Sequence, residues 1–121
     1  MNIINEGDTK IAEAPDNLII RNEQDALELL MNGNYLGTRK ILMQEINLQT
    51  EFFDLKTGIA GEILQKFSTY DGYVAIVGDY TKFTSKSLKD FIYESNKQGR
   101  VNFVSTKEEA IAILRQKVEK D

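Results

Sequence analysis

Neither cysteine nor histidine occurs among the 121 residues of this chain, so any chemistry it performs must rest on Asp, Glu, Lys, Arg, Tyr, Ser or Thr. That composition excludes the imidazole base, the thiolate nucleophile, the usual zinc ligands, iron-sulfur ligation and disulfides. Interest falls first on Asp54-Leu55-Lys56-Thr57-Gly58-Ile59-Ala60-Gly61-Glu62, where a lysine, a hydroxyl and two glycines stand at the start of a strongly periodic apolar segment. A glycine costs a helix about 1 kcal/mol relative to alanine, so something should require Gly58 and Gly61. One explanation is close packing of the helix, with Thr57 as an ordinary cap. The other is an anion or phosphate site at the helix N-terminus, where Thr57 supplies a hydroxyl and Gly58 permits close approach.

A second segment, Gly78-Asp79-Tyr80-Thr81-Lys82-Phe83-Thr84-Ser85-Lys86-Ser87, lies between a clear strand and a clear helix, the context a phosphate loop needs. It ends in Ser85-Lys86-Ser87 where a Walker A loop ends in Gly-Lys-Ser. Tyr80 and Ser85 occupy the positions of both required glycines, so the backbone is not expected to wrap a triphosphate. Capping by Ser85 or Ser87 with solvated lysines explains the same residues. Asp79, at a strand end, could act as an acid or base, or hold its own loop by hydrogen bonds. Ser105-Thr106-Lys107 needs only a capping box of Ser105 with Glu108. Gly58-Ile59-Ala60-Gly61 matches the Gly-x-x-Gly clamp of KH domains, but that clamp accompanies a basic surface. Phe52 and Phe53, adjacent and without a basic face, are expected to plug the core.

The formal charge of −4 opposes affinity won by neutralising phosphates, so nucleic acid is not an expected partner. Met1-Asn2-Ile3-Ile4-Asn5-Glu6 has neither a basic n-region nor an apolar core, and no apolar run approaches bilayer length. No membrane partner, cofactor or metal is expected, and the cytosol is the expected address.

The elements that must position these residues follow from periodicity. The length suits one domain, residues 1–121. Asn2 to Asn5 and Thr9 to Ala14 read as a hairpin turning at Glu6-Gly7-Asp8, which Pro15-Asp16-Asn17 then breaks. Leu18-Ile19-Ile20 leads into a helix capped by Asn22, with Ala26, Leu27, Leu30 and Met31 on one face and Gly33 as its end. Ile41-Leu42-Met43 reads as a buried strand. Ile59, Ile63, Leu64, Phe67 and Tyr70 share a helical face that stops at Asp71-Gly72. Tyr73 to Val77 is apolar at every position, as in a parallel strand covered on both faces. Leu88, Phe91 and Ile92 mark a helix ended by Gly99. Val101 to Val104 is a strand, and Ala110, Ile111, Leu114 and Val118 form the face of a last helix, with Val118 to Asp121 expected to fray. The expected class is α/β, a mixed and mostly parallel sheet with an N-terminal hairpin and about four helices.

Two blocks, Phe52 to Phe67 and Thr84 to Lys97, resemble a bacterial family known as domain of unknown function 4180, over about Thr9 to Leu114. That resemblance implies a small cytosolic bacterial protein and no particular activity. The order of elements, and Phe53 to Leu64 above all, is also similar to the STAS domain of anti-sigma-factor antagonists. In that family an Asp-Ser-Ser-Gly turn opens the helix after the third strand. Here the turn is Asp54-Leu55-Lys56-Thr57-Gly58, one residue longer, with Lys56 intervening and Thr57 matching the phosphorylatable serine. The likeness implies a STAS-like fold and a phosphate acceptor at Thr57. A phosphate there would gain from the helix dipole and add nearly two negative charges to a partner surface.

Two functions are consistent with these residues. The first is a regulatory or interaction module that binds a protein partner or a small anionic ligand. Its candidate binding residues are Asp54, Lys56, Thr57, Gly58 and Gly61 on one loop and Asp79, Tyr80, Ser85 and Lys86 on the other. The alternative is an enzyme on a small substrate, with Asp79, Asp54 or Glu45 as the acid-base group and Lys56 or Lys86 holding an anion.

Overall fold

A computed structural model describes residues 1–118; residues 119–121, where fraying was expected, lie outside the described residues. The chain runs β1 (Asn2–Glu6), β2 (Thr9–Glu13), α1 (Glu23–Tyr35), β3 (Lys40–Gln44), α2 (Ile59–Thr69), β4 (Tyr73–Val77), α3 (Lys86–Gln98), β5 (Val101–Val104) and α4 (Lys107–Gln116). Three short 3-10 turns lie between β3 and α2. The sheet order is β1-β2-β3-β4-β5; β1 and β2 are antiparallel, and every later pair is parallel. Among the described residues the fold is therefore α/β, with a five-stranded, mostly parallel sheet, an N-terminal hairpin and four α-helices.

The uniform apolar character of the strands is explained by two buried faces. On one, Ile41, Met43, Val74, Ile76, Val101 and Phe103 pack with Ala26, Leu29 and Leu30 of α1 and Ile63 and Phe67 of α2. On the other, Ile11, Leu42, Ala75 and Val104 pack with Ala110 and Leu114 of α4. This division follows from topology. Crossovers of one hand between sequentially ordered parallel strands bring α1, α2 and α3 to the same face, while α4 folds back after the last strand to cover the other. The strand order never reverses, so the sheet has no topological switch point of the kind that opens a ligand crevice in doubly wound folds.

Several local expectations shift. Gly33 does not end α1: it is buried inside it, where a Cβ would lie 2.8 Å from Ile41 Cδ1, and the helix continues to Tyr35. The buried face is Ala26, Leu29, Leu30 and Gly33, while Met31 is exposed. The cap of α4 is Thr106 rather than Ser105, its hydroxyl accepting from Glu109 N at 3.1 Å, so the Ser105–Glu108 box moves one residue along. The helix ends at Gln116, which leaves Val118 exposed instead of on its apolar face. Of the two serines considered for α3, Ser85 caps it, accepting from Leu88 N at 3.2 Å. Among the described residues no helix is long and apolar enough to cross a membrane.

Candidate functional site

At the carboxyl end of β3 the chain does not enter its helix directly. It makes the turns Glu45–Asn47, Thr50–Phe53 and Leu55–Thr57 first. Asn47, which has no solvent exposure, anchors this connection. Its side-chain carbonyl accepts from Gln44 N at 2.8 Å, and its amide donates to Pro15 O at 2.9 Å and Leu18 O at 2.8 Å. Backbone bonds from Ile20 N to Asn47 O and from Gln49 N to Ile20 O complete the tie between the β2–α1 and β3–α2 connections. A buried amide with both donors and its carbonyl engaged locks two loops that share no regular ladder. A single asparagine in a polar stretch carries no periodic signal, so neither the tie nor the turns were foreseen.

Next to it, the β4–α3 loop closes over the same edge. Gly78 is required here because a Cβ would lie 2.7 Å from both Cβ and Oε1 of Glu45. Glu45, whose side chain is 14% exposed, accepts from Asp79 N at 3.3 Å and pairs with Lys82. Phe83 stacks on Phe53 with centroids 4.6 Å apart and planes at 18°. Together they frame a cavity of about 390 Å³ with Ile46, Leu48, Phe53 and Phe83 as apolar walls and Glu45, Lys82 and Thr50 as its polar rim. Ile46 is 66% exposed. Phe52 fills the core as expected; Phe53, partly buried, packs against the core and also lines the groove.

The residues singled out from sequence take definite places around this edge. Thr57 is exposed, and its hydroxyl is within 2.9 Å of Glu51 O and 2.8 Å of Asp54 O, one proton serving both carbonyls, while it accepts from Ile59 N at 3.2 Å. It thus clasps the turn bearing Phe53 to the start of α2. Asp54 accepts from Lys56 N at 3.2 Å, and Gly58 sits at φ +78°, a left-handed conformation that explains its identity. Gly61 is different: a Cβ there would meet nothing within 4 Å, so packing within the chain does not require this glycine.

On the other loop, Asp79 Oδ1 accepts from Thr81 N at 3.0 Å and Thr81 Oγ1 at 2.6 Å, and these bonds hold its carboxyl below the usual range. Tyr80 turns inward, donating to Ile76 O at 2.6 Å and meeting Phe103 edge-on. Burial, then the charge of Glu45, pushes its phenol far above the ordinary range. Lys86 points away to Asp90 at 2.8 Å, which raises its pKa. The groove therefore gathers Glu45 with Lys82 but is lined by none of Asp54, Lys56, Asp79 or Lys86. Its charges are mutually paired and its walls are apolar, a surface suited to an apolar side chain.

No curated protein and no solved structure matches the chain. A family model does, over residues 6–114, most of the chain, including both strand-end loops, the clasp and the groove. The chain belongs to the family described as domain of unknown function 4180.

Proposed function

We propose that this chain is a STAS-like regulatory module of the bacterial cytosol, which docks a protein partner in the groove between Ile46 and the Phe53–Phe83 stack. The observation that carries this reading is an open apolar groove with an exposed isoleucine in its wall, built beside a paired rather than a free charge. One fully buried apolar side chain contributes about 1.5 to 3 kcal/mol, enough to anchor a docked segment. Lys82 is committed to Glu45, so the groove favours a protein side chain over a small anion, and no second member of the acid-base set joins Glu45 for catalysis.

Two neighbours support the reading. Gly61 leaves open space on the first turn of α2, which a partner's backbone could approach closely. The turn from Asp54 to Gly58 opens the helix after the third strand, where the STAS likeness places its phosphate acceptor. A phosphate on Thr57 would remove the proton shared by Glu51 O and Asp54 O and set new charge beside the groove. The test is calorimetric titration of a partner recovered with the wild-type protein. Ile46→Asp and Thr57→Glu should each weaken it about tenfold or more, as loss of an interface anchor does. Lys89→Glu, on the exposed face of α3, should leave it unchanged. Equal affinity for all four proteins would remove the groove from consideration.

A further inference from the structure

A second depression lies at the other end of the same sheet edge, between the first residues of the chain and the outer face of α1. It has a volume of about 280 Å³ and an apolar floor of Met1, Pro15, Leu18, Ile19 and Leu29. Met1 and Ile19 remain 36% and 42% exposed. A shallower trough bounded by Glu13 and Asp16 continues from it, sharing Met1 and Pro15.

The charged groups around the floor are unequal in sign. Glu13, Asp16, Asp25 and Glu28 are acidic, and Arg21 and the α-ammonium of Met1 are the positive groups among them. Arg21 is held by Asp25 at 3.1 Å, and Glu13 is answered by Lys107 at 3.0 Å. Asp16, on the trough, and Glu28, on the depression, have no ion-pair partner among the described residues, so acidic groups still outnumber positive ones around the apolar floor. This differs from the Ile46 groove, whose rim is neutral. An apolar slot with an excess of carboxylates around it fits a segment that presents an apolar side chain with lysine or arginine on either side, the cations meeting the acids as the side chain enters.

We infer that the depression between Ile19 and Leu29 docks a basic segment of another protein through one apolar residue, independently of the Ile46 groove. The probes are two capped hexapeptides, Arg-Lys-Leu-Leu-Lys-Arg and its counterpart Glu-Glu-Leu-Leu-Glu-Glu, titrated into the ¹⁵N-labelled full chain while amide shifts are followed. The basic peptide should move the amides of Leu18, Ile19, Glu28 and Leu29 saturably, more weakly as salt rises, because the pairing is electrostatic and exposed. Combining Asp16→Asn with Glu28→Gln should weaken it about threefold or more while leaving the rest of the spectrum in place, and Ile19→Ala should weaken it without changing the salt dependence. Equal shifts with the acidic peptide, no saturable shift with either, or shifts centred on Ile46 and Phe83 would each overturn the inference.

Discussion

Phe53 and Phe83, thirty positions apart in the chain, lie face to face at 4.6 Å, and this contact joins the connection after β3 to the connection after β4. It sets one ring from each connection into the wall of the Ile46 groove. The stack should contribute about 0.5 to 1.5 kcal/mol beyond area burial. A double-mutant cycle of Phe53→Leu and Phe83→Leu, read by urea unfolding, should return a coupling of that size. A coupling of zero would mean that the two loops are held together without the rings.

Asn47 should be the polar residue least tolerant of change. Asn47→Ala strands the carbonyl of Leu18 and the amide of Gln44 and leaves the carbonyl of Pro15 with only its bond from Leu18 N, around a side chain that has no solvent exposure. The expected loss is about 2 to 4 kcal/mol, measured by chemical denaturation. A loss below about 0.5 kcal/mol, within the range of ordinary surface changes, would contradict the tie between the two connections.

The two glycines of the α2 turn should part company. Gly61→Ala should stabilise the isolated protein by about 0.5 to 1 kcal/mol, because a methyl there meets nothing and alanine is the better helix former. Gly58→Ala should destabilise it by about 1 to 2 kcal/mol, because alanine at φ +78° is strained. If Gly61 serves close approach by a partner, the stabilised variant should also bind that partner less well. Thermal unfolding and titration, taken together, separate the two effects.

Tyr80 provides a pH signature. Its phenol is raised by burial and by Glu45, so the folded state keeps the proton to higher pH than the unfolded chain. A raised folded-state pKa means that its contribution is intact below the ordinary phenol value of about 10 and is lost as the pH climbs above it. The difference between wild type and Tyr80→Phe in absorbance near 295 nm, a wavelength where phenolate of about pKa 10 is ordinarily followed, should therefore show no step in the ordinary range. Its step should appear only with alkaline unfolding. A step in the ordinary range with the fold intact would show that the ring is accessible to water.

Much of the architecture was legible because strand and helix periodicities are strong where both faces are buried. Tyr73–Val77 and Val101–Val104 stand at the boundaries expected from their composition, and the hairpin turns on Gly7 as expected. The helical errors have physical causes. Gly33 reads as a terminator by type, but here it makes room for Ile41, and Thr106 outcompetes Ser105 because the helix starts one residue later. Around the site, the glycines and Thr57 were visible as anomalies, whereas Ile46 and Asn47 were not weighed, and Lys82 and Phe83 entered only as members of a loop whose lysines were expected to be solvated. Their roles arise from pairings across long sequence separation, Lys82 with Glu45 and Phe83 with Phe53, which no local pattern encodes.

The most direct measurement is photocrosslinking in cells expressing the protein, with p-benzoylphenylalanine incorporated at position 46 or, as a control, at exposed position 93 on α3. Docking in the groove predicts a discrete protein adduct from position 46 alone, diminished when Thr57→Glu is added. No protein adduct at position 46, or the same adducts from both positions, would contradict it.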